Sequence, residues 1–162
     1  NKRMGLDMYI FKVKKTAHSI KELSDLNRNP EPGQPEVAEF EPLQRPYEDT
    51  CPDYYSIFQE VAYWRKFNAL HQWFVTTVQA GVDECDLYEL DKDVLFELLE
   101  ILEDVYHLKN PSKLPPTQGF FWGSTEVDDY YWDKVESSIQ IISGLIDYTD
   151  WDNERLFYQS SW

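Results

Sequence analysis

Residues 63–74 read YWRKFNALHQWF, and the period assigned to this run decides the fold. From Tyr54 to Gln79 neither proline nor glycine interrupts the chain, and Gly81 follows as a stop. That pattern predicts one long helix over 54–79 with a glycine at its C-terminal end. At the helical period of about 100° per residue, Tyr63, Trp64, Phe67, Leu70, His71, Phe74 and Val78 share one broad face. His71 lies inside that stripe and Asn68 at its margin, whereas Arg65 and Lys66 point away from its centre. A polar group on a buried stripe costs about 1–3 kcal/mol unless it is paired. Two readings follow. Either His71 and Asn68 are core residues satisfied by backbone carbonyls, or they face a ligand between stacking rings.

Outward from this run, DMYIFKVKK (7–15) alternates as a half-buried strand, with Tyr9, Phe11 and Val13 on one face and Lys12 and Lys14 on the other. HSIKELSDLN (18–27) reads as a short helix with Ser19 and Glu22 spaced as a capping box. Residues 28–53 hold six of the nine prolines and no periodicity, which predicts a long irregular loop. On the C-terminal side, DLYEL (86–90) predicts a short strand, and Asp91 or Asp93 caps a helix through VLFELLEILEDVYHL (94–108). There Leu95, Leu98, Leu99, Leu102 and Val105 form an apolar stripe opposite the acids. QGFFWGST (118–125) predicts a strand and turn, with Ser124 or Thr125 capping a third helix over about 126–148. Its stripe is Tyr131, Val135, Ile139, Ile142 and Ile146, and RLFYQSSW (155–162) closes the chain as a strand. This order lacks the regular alternation of a doubly wound sheet. It predicts a single α+β domain over 1–162, a small, mainly antiparallel sheet packed against three main helices.

At 162 residues, 42% hydrophobic, the chain suits one compact domain with a proper core. Six tryptophans either pack in bulky layers or line a cleft, since each ring keeps a polar tip that wants a partner. The net charge of −15 is uneven: residues 1–28 carry seven Lys/Arg against three acids, and residues 29–162 carry eight against twenty-seven. A field of that sign repels nucleic acid and anionic membrane and suits a basic protein partner. Cys51 and Cys85 make no CxxC and no disulfide framework, so they read as reduced thiols of a cytosolic protein. Neither a membrane span nor a signal peptide is legible.

Catalytic signatures are scarce. His18, His71 and His107 lack metal-ligand spacing, and the sequence holds no P-loop, GxGxxG, GxSxG or HExxH. No cofactor is called for. The remaining chemistry is recognition. Trp64, Phe121 and Trp122 offer stacking faces, Arg65 and Lys66 offer charge for phosphate, and Asn68 and His71 offer polar edges. Ser124 stands in a glycine-flanked turn where free amides await an anion. The acids Glu97, Glu100, Glu103, Asp104, Asp128, Asp129, Asp133 and Glu136 either keep the surface soluble or imitate a phosphate track.

Four stretches carry a resemblance: MGLDMYIF (4–11), YWRKFNALHQWF (63–74), GFFWGST followed by DDYYW (119–125 and 128–132), and the terminal YQSSW (158–162). In these the chain resembles small proteins encoded by bacteriophages and prophages. Members open with MGLDMY-like residues, carry a YWRK-N-(I/L)H-WF segment and end in an SSW-like tail. Such proteins are sometimes labelled phosphoglycerate kinase, but this chain is far too short and lacks a nucleotide-phosphate loop. The resemblance implies a phage origin and no settled activity, with the host bacterial cytoplasm as the place of action. Accessory phage proteins often counter host defence, which gives the leading expectation: non-catalytic sequestration of a small nucleotide-like host signal. An acidic inhibitor of a basic host defence protein, such as a CRISPR or restriction component, is the alternative; an enzyme acting on a nucleotide is the third reading. Neither direct nucleic-acid nor membrane binding is expected, and self-association is left open.

Overall fold

The computed structural model describes residues 5–14, 43–44, 55–56, 58–119 and 122–162. The expected helix over 18–27 and nearly all of the proline-rich stretch 28–53 lie outside these residues. The protein is α+β. Strands β1 (Asp7–Lys14), β4 (Gln59–Arg65), β5 (Tyr88–Leu90) and β6 (Glu154–Ser161) form an antiparallel sheet in the order β4-β1-β6-β5. Two short strands, β2 (Leu43–Gln44) and β3 (Tyr55–Ser56), pair separately. Three main helices follow: α1 (Asn68–Thr77), α2 (Lys92–Leu108) and α3 (Asp129–Tyr148). No helix among the described residues is long and apolar enough to cross a membrane.

The long helix expected over 54–79 is instead strand, corner and helix. Residues 59–65 pair with β1, with Trp64 opposite Met8, Tyr63 opposite Tyr9 and Ala62 opposite Ile10. The strand period of two wins because Ala62 and Trp64 then face the core while Tyr63, 44% exposed, faces away. Lys66 turns the corner with φ +55, a left-handed conformation uncommon outside glycine, and its N–H donates to the Leu6 carbonyl at 2.7 Å. Helix α1 is then buried on most sides: seven of its ten residues, Asn68 and His71 among them, are inaccessible.

The inward face of β1 also differs from expectation. Met8 and Ile10, both fully buried, pack toward the helices, joined by Trp64, Leu90, Leu156 and Tyr158 from the other strands. Tyr9 and Phe11 stack on the opposite face at 5.5 Å, where Val13, Phe58, Leu87 and Phe157 form a smaller cluster. Both faces of the strand are apolar, so alternation alone could not say which one meets helices. Lys12, expected on a basic outer face, reaches Glu154 at 3.5 Å.

Helix α2 begins where the sequence indicates, with the Asp91 carboxylate accepting from the Val94 N–H at 2.7 Å. Its buried Leu95, Leu98, Leu102 and Val105 meet Tyr131, Val135, Ile142 and Ile146 of α3 in the main core. Helix α3 starts later than expected. Asp128, rather than Ser124 or Thr125, accepts from the Tyr131 N–H at 3.1 Å. Nor is there a strand among the described residues of 118–125; residues 118–119 and 122–125 are irregular, and what holds them there defines the site.

Candidate functional site

The corner at Lys66, Pro116, the segment 123–128 and the first turns of α3 enclose a cleft of about 240 Å³. Arg65, Lys66, Asn68, Gly123 and Ser124 line it, as do Phe67, Glu126, Tyr130 and Lys134, which the sequence alone does not mark as site residues. The floor is aromatic: Phe67 meets Tyr131 edge to face at 6.2 Å, and the Tyr131 hydroxyl donates to the Leu114 carbonyl at 2.7 Å. Burial pushes the Tyr131 phenol up to about 12, so it stays protonated at neutral pH. Tyr130, 68% exposed, presents its ring to solvent at the mouth.

Asn68 holds the outer wall in place. Its amide donates to the carbonyls of Ser124 at 2.8 Å and Trp122 at 3.3 Å, and its oxygen accepts from the Thr117 N–H at 2.8 Å. Asparagine near a helix start ordinarily serves the helix's own amides, but α1 has no side-chain cap, and Asn68 reaches across to another segment instead. Gly123 sits with φ +95 against the corner, where an added Cβ would come within 3.0 Å of the Lys66 Cβ. The wall therefore depends on glycine at this point for both its torsion and its clearance. Ser124 is also engaged locally, its hydroxyl accepting from the Glu126 N–H at 3.1 Å.

Three cations meet here in a chain whose acids outnumber its Lys and Arg thirty to fifteen. Their states differ. The Arg65 guanidinium is tied to Asp7 at 2.7 Å, and Asp7 also accepts from the Tyr63 hydroxyl at 2.5 Å. The Lys134 amine donates to the Arg65 carbonyl at 2.7 Å and lies 4.4 Å from the Tyr130 ring centre and 5.7 Å from that of Phe67. Burial lowers its pKa to about 8, with Asp128 opposing and Lys66 adding to the shift. Glu126 and Asp128 also line the cleft, and Asp128 spends one oxygen on the α3 cap.

The remaining residues singled out from sequence lie elsewhere. Trp64 is buried, its indole N–H donating to the Ser138 hydroxyl at 2.9 Å. His71 is sealed in the core between the Tyr158 hydroxyl at 2.7 Å and the Asp83 carboxylate at 2.9 Å. Trp122 meets the His71 ring edge to face at 4.8 Å and packs against the main core. Phe121 lies outside the described residues. The structure thus gathers Arg65, Lys66, Asn68 and Ser124 around one hollow and separates Trp64, His71 and Trp122 from it. One signal could have found Lys134: it is the single lysine among nine acids over 126–154 and stands three residues after Tyr131, beside the buried stripe.

No protein-family profile, curated protein or solved structure matches the chain. Among the described residues, no group of three His, Cys, Asp or Glu is placed to hold a metal ion.

Proposed function

We propose that the protein binds a small, phosphate-bearing, nucleotide-like molecule without turning it over, and that a phage uses it to withdraw a host immune signal. The observation that carries this reading is the meeting of Lys66 and Lys134 with the exposed Tyr130 ring in one cleft. Phosphate would sit against the two amines, a base would stack on Tyr130, and Glu126 would accept from an amino edge. The phage setting rests on the sequence resemblance alone. A hollow of about 240 Å³ is below the range of about 300–1,000 Å³ usual for small-molecule pockets. It suits one ring and one phosphate, with any second nucleotide unit left outside.

Titration calorimetry against linear and cyclic nucleotides tests the reading. Tyr130→Ala should weaken binding by roughly 5- to 150-fold, the equivalent of the 1–3 kcal/mol a stacked base contributes. Lys66→Glu should weaken it at least tenfold and flatten its salt dependence, because one attractive charge contact is lost. Absence of binding by the wild-type protein to every nucleotide tried would end the proposal.

A second reading is favoured by the helical surface. Asp93, Glu97, Glu100 and Asp104 are all exposed and recur at four- and three-residue steps along one side of α2, and Asp129, Asp133 and Glu136 do so on α3. At about 1.5 Å rise per residue this gives carboxylates roughly every 5–6 Å, close to the phosphate repeat of a single strand. A basic enzyme that grips nucleic acid would meet a similar track. The triple reversal E97K/E100K/D104K should abolish retention of such a partner from host lysate. Retention unchanged by the reversal, or unaffected by salt, would exclude this surface.

A further inference from the structure

Lys134 is placed unlike an ordinary surface lysine. Its backbone belongs to the inward side of α3, where the Lys134 carbonyl accepts from the Ser138 hydroxyl at 2.6 Å. Its side chain runs under Tyr130 toward the corner strand, and one N–H is committed to the Arg65 carbonyl. Among the described residues no carboxylate lies within ion-pairing distance of it. The charged groups around it are Lys66 from the corner, Arg65 from the end of β4, and Asp128 and Glu126 from the approach to α3. Partial burial beside a second ammonium, without a paired carboxylate, is an arrangement that turns lysine into a nucleophile.

We propose that Lys134 is a reactive amine through which the cleft captures a small phosphorylated aldehyde as a reversible Schiff base. The uncharged amine has two N–H bonds and one lone pair. An N–H on the Arg65 carbonyl fixes the nitrogen and leaves the lone pair free to turn into the cleft. That pair adds to the aldehyde carbon, the carbonyl π electrons pass to oxygen, and a proton moves from nitrogen to that oxygen. Loss of one water from the carbinolamine gives the C=N bond, and no oxidant or reductant is consumed. Lys66 supplies the charge that seats the phosphate, and the hollow has room for one ring and one phosphate. The lowered basicity of Lys134 supports the same assignment. With a pKa of about 8, roughly one molecule in ten carries the free amine at pH 7, against fewer than one in a thousand for an ordinary lysine.

The inference shares its cleft with the nucleotide reading but does not require the ligand to be a nucleotide. The test uses the full chain and pyridoxal 5′-phosphate as probe, with borohydride reduction and peptide mass spectrometry over a pH series. Of the ten lysines, Lys134 should label on the order of ten times faster than any other, the expected result of a larger free-amine fraction set against reduced basicity. Its rate should level off with a midpoint near pH 8, where surface lysines are still rising. Pyridoxal, which lacks the phosphate, should label Lys134 at least several times more slowly. Labelling spread evenly over the lysines, or a Lys134 midpoint above pH 10, would overturn the inference. The two proposals separate cleanly. Selective labelling without nucleotide binding keeps this one and removes the other; nucleotide binding with indiscriminate labelling does the reverse.

Discussion

Replacing Asn68 with alanine should destabilise the protein by about 2–4 kcal/mol, three hydrogen bonds at about 0.5–1.5 kcal/mol each, and should abolish the cleft as well. The two effects have one cause. The carboxamide of Asn68, only 3% exposed, supplies both donors to the Trp122 and Ser124 carbonyls and the acceptor for the Thr117 N–H. No other described side chain joins α1 to those backbone groups. Without it, three polar groups lose their partners and can recover them only by moving toward water, which takes the Gly123–Ser124 wall away from Lys66. Thermal melting should fall by roughly 5–15 °C for a domain of this size. Asn68→Asp is the sharper control. Aspartate keeps the acceptor for Thr117 but points a second oxygen at two carbonyls, so it should cost at least as much as alanine despite its matching shape. If either variant melted with the wild type, Asn68 would not be the clasp of this segment.

Much of this architecture was legible, and the parts that were not share a physical reason. Helix α2 could be read to within two residues of its cap, Asp91 or Asp93, because an aspartate precedes a stripe with a single period and acids on the other side. Strand β6 and the stripe of α3 were equally unambiguous. YWRKFNALHQWF was not, because Ala62, Trp64, Phe67, Leu70 and Phe74 are all buried in the structure and satisfy a period of two up to the corner and of 3.6 after it. The break falls on Lys66, a residue type that gives no warning of a left-handed turn. The start of α3 was misplaced because Ser124, Thr125 and Asp128 are all good caps and only tertiary contacts choose among them. For the site, Arg65, Lys66, Asn68 and Ser124 were named from residue chemistry. Their role as wall, corner or clasp depends on which segments come together. Lys134 and Tyr130 belong to a different helix, and nothing local in the sequence ties them to the corner at Lys66.

His71→Leu should cost a comparable amount, about 2–4 kcal/mol, and its pH dependence should reveal the protonation state of the imidazole. Aspartate can only accept, so the Nε2 hydrogen points at Asp83, and a neutral ring must then accept at Nδ1 from the Tyr158 hydroxyl. Burial lowers the His71 pKa, with the Asp83 hydrogen bond and charge opposing, so the folded state prefers the neutral ring. Leucine leaves the fully buried Tyr158 hydroxyl without that partner, which costs about 1–3 kcal/mol; Asp83, partly exposed, loses the imidazole donor but still accepts from the Trp162 indole N–H at 3.2 Å. Tyr158 cannot simply turn away, because its ring stacks on Phe74 at 3.9 Å with planes 13° apart. His71→Leu combined with Tyr158→Phe should therefore recover part of the loss, since removing both members of a buried pair is far less harmful than removing one. The sign with pH follows from the depressed pKa. Below about pH 6.5 the unfolded chain takes up a proton on His71 that the folded chain resists, so the unfolded state binds more protons and stability falls with falling pH. This contribution is complete above pH 6.5 and is lost as pH drops toward the folded-state value. Chemical denaturation at pH 7.5 and pH 5.5 should show the gap between wild type and His71→Leu narrowing in acid. A gap that widened instead would mean that His71 is charged in the fold and that Asp83, not burial, governs it.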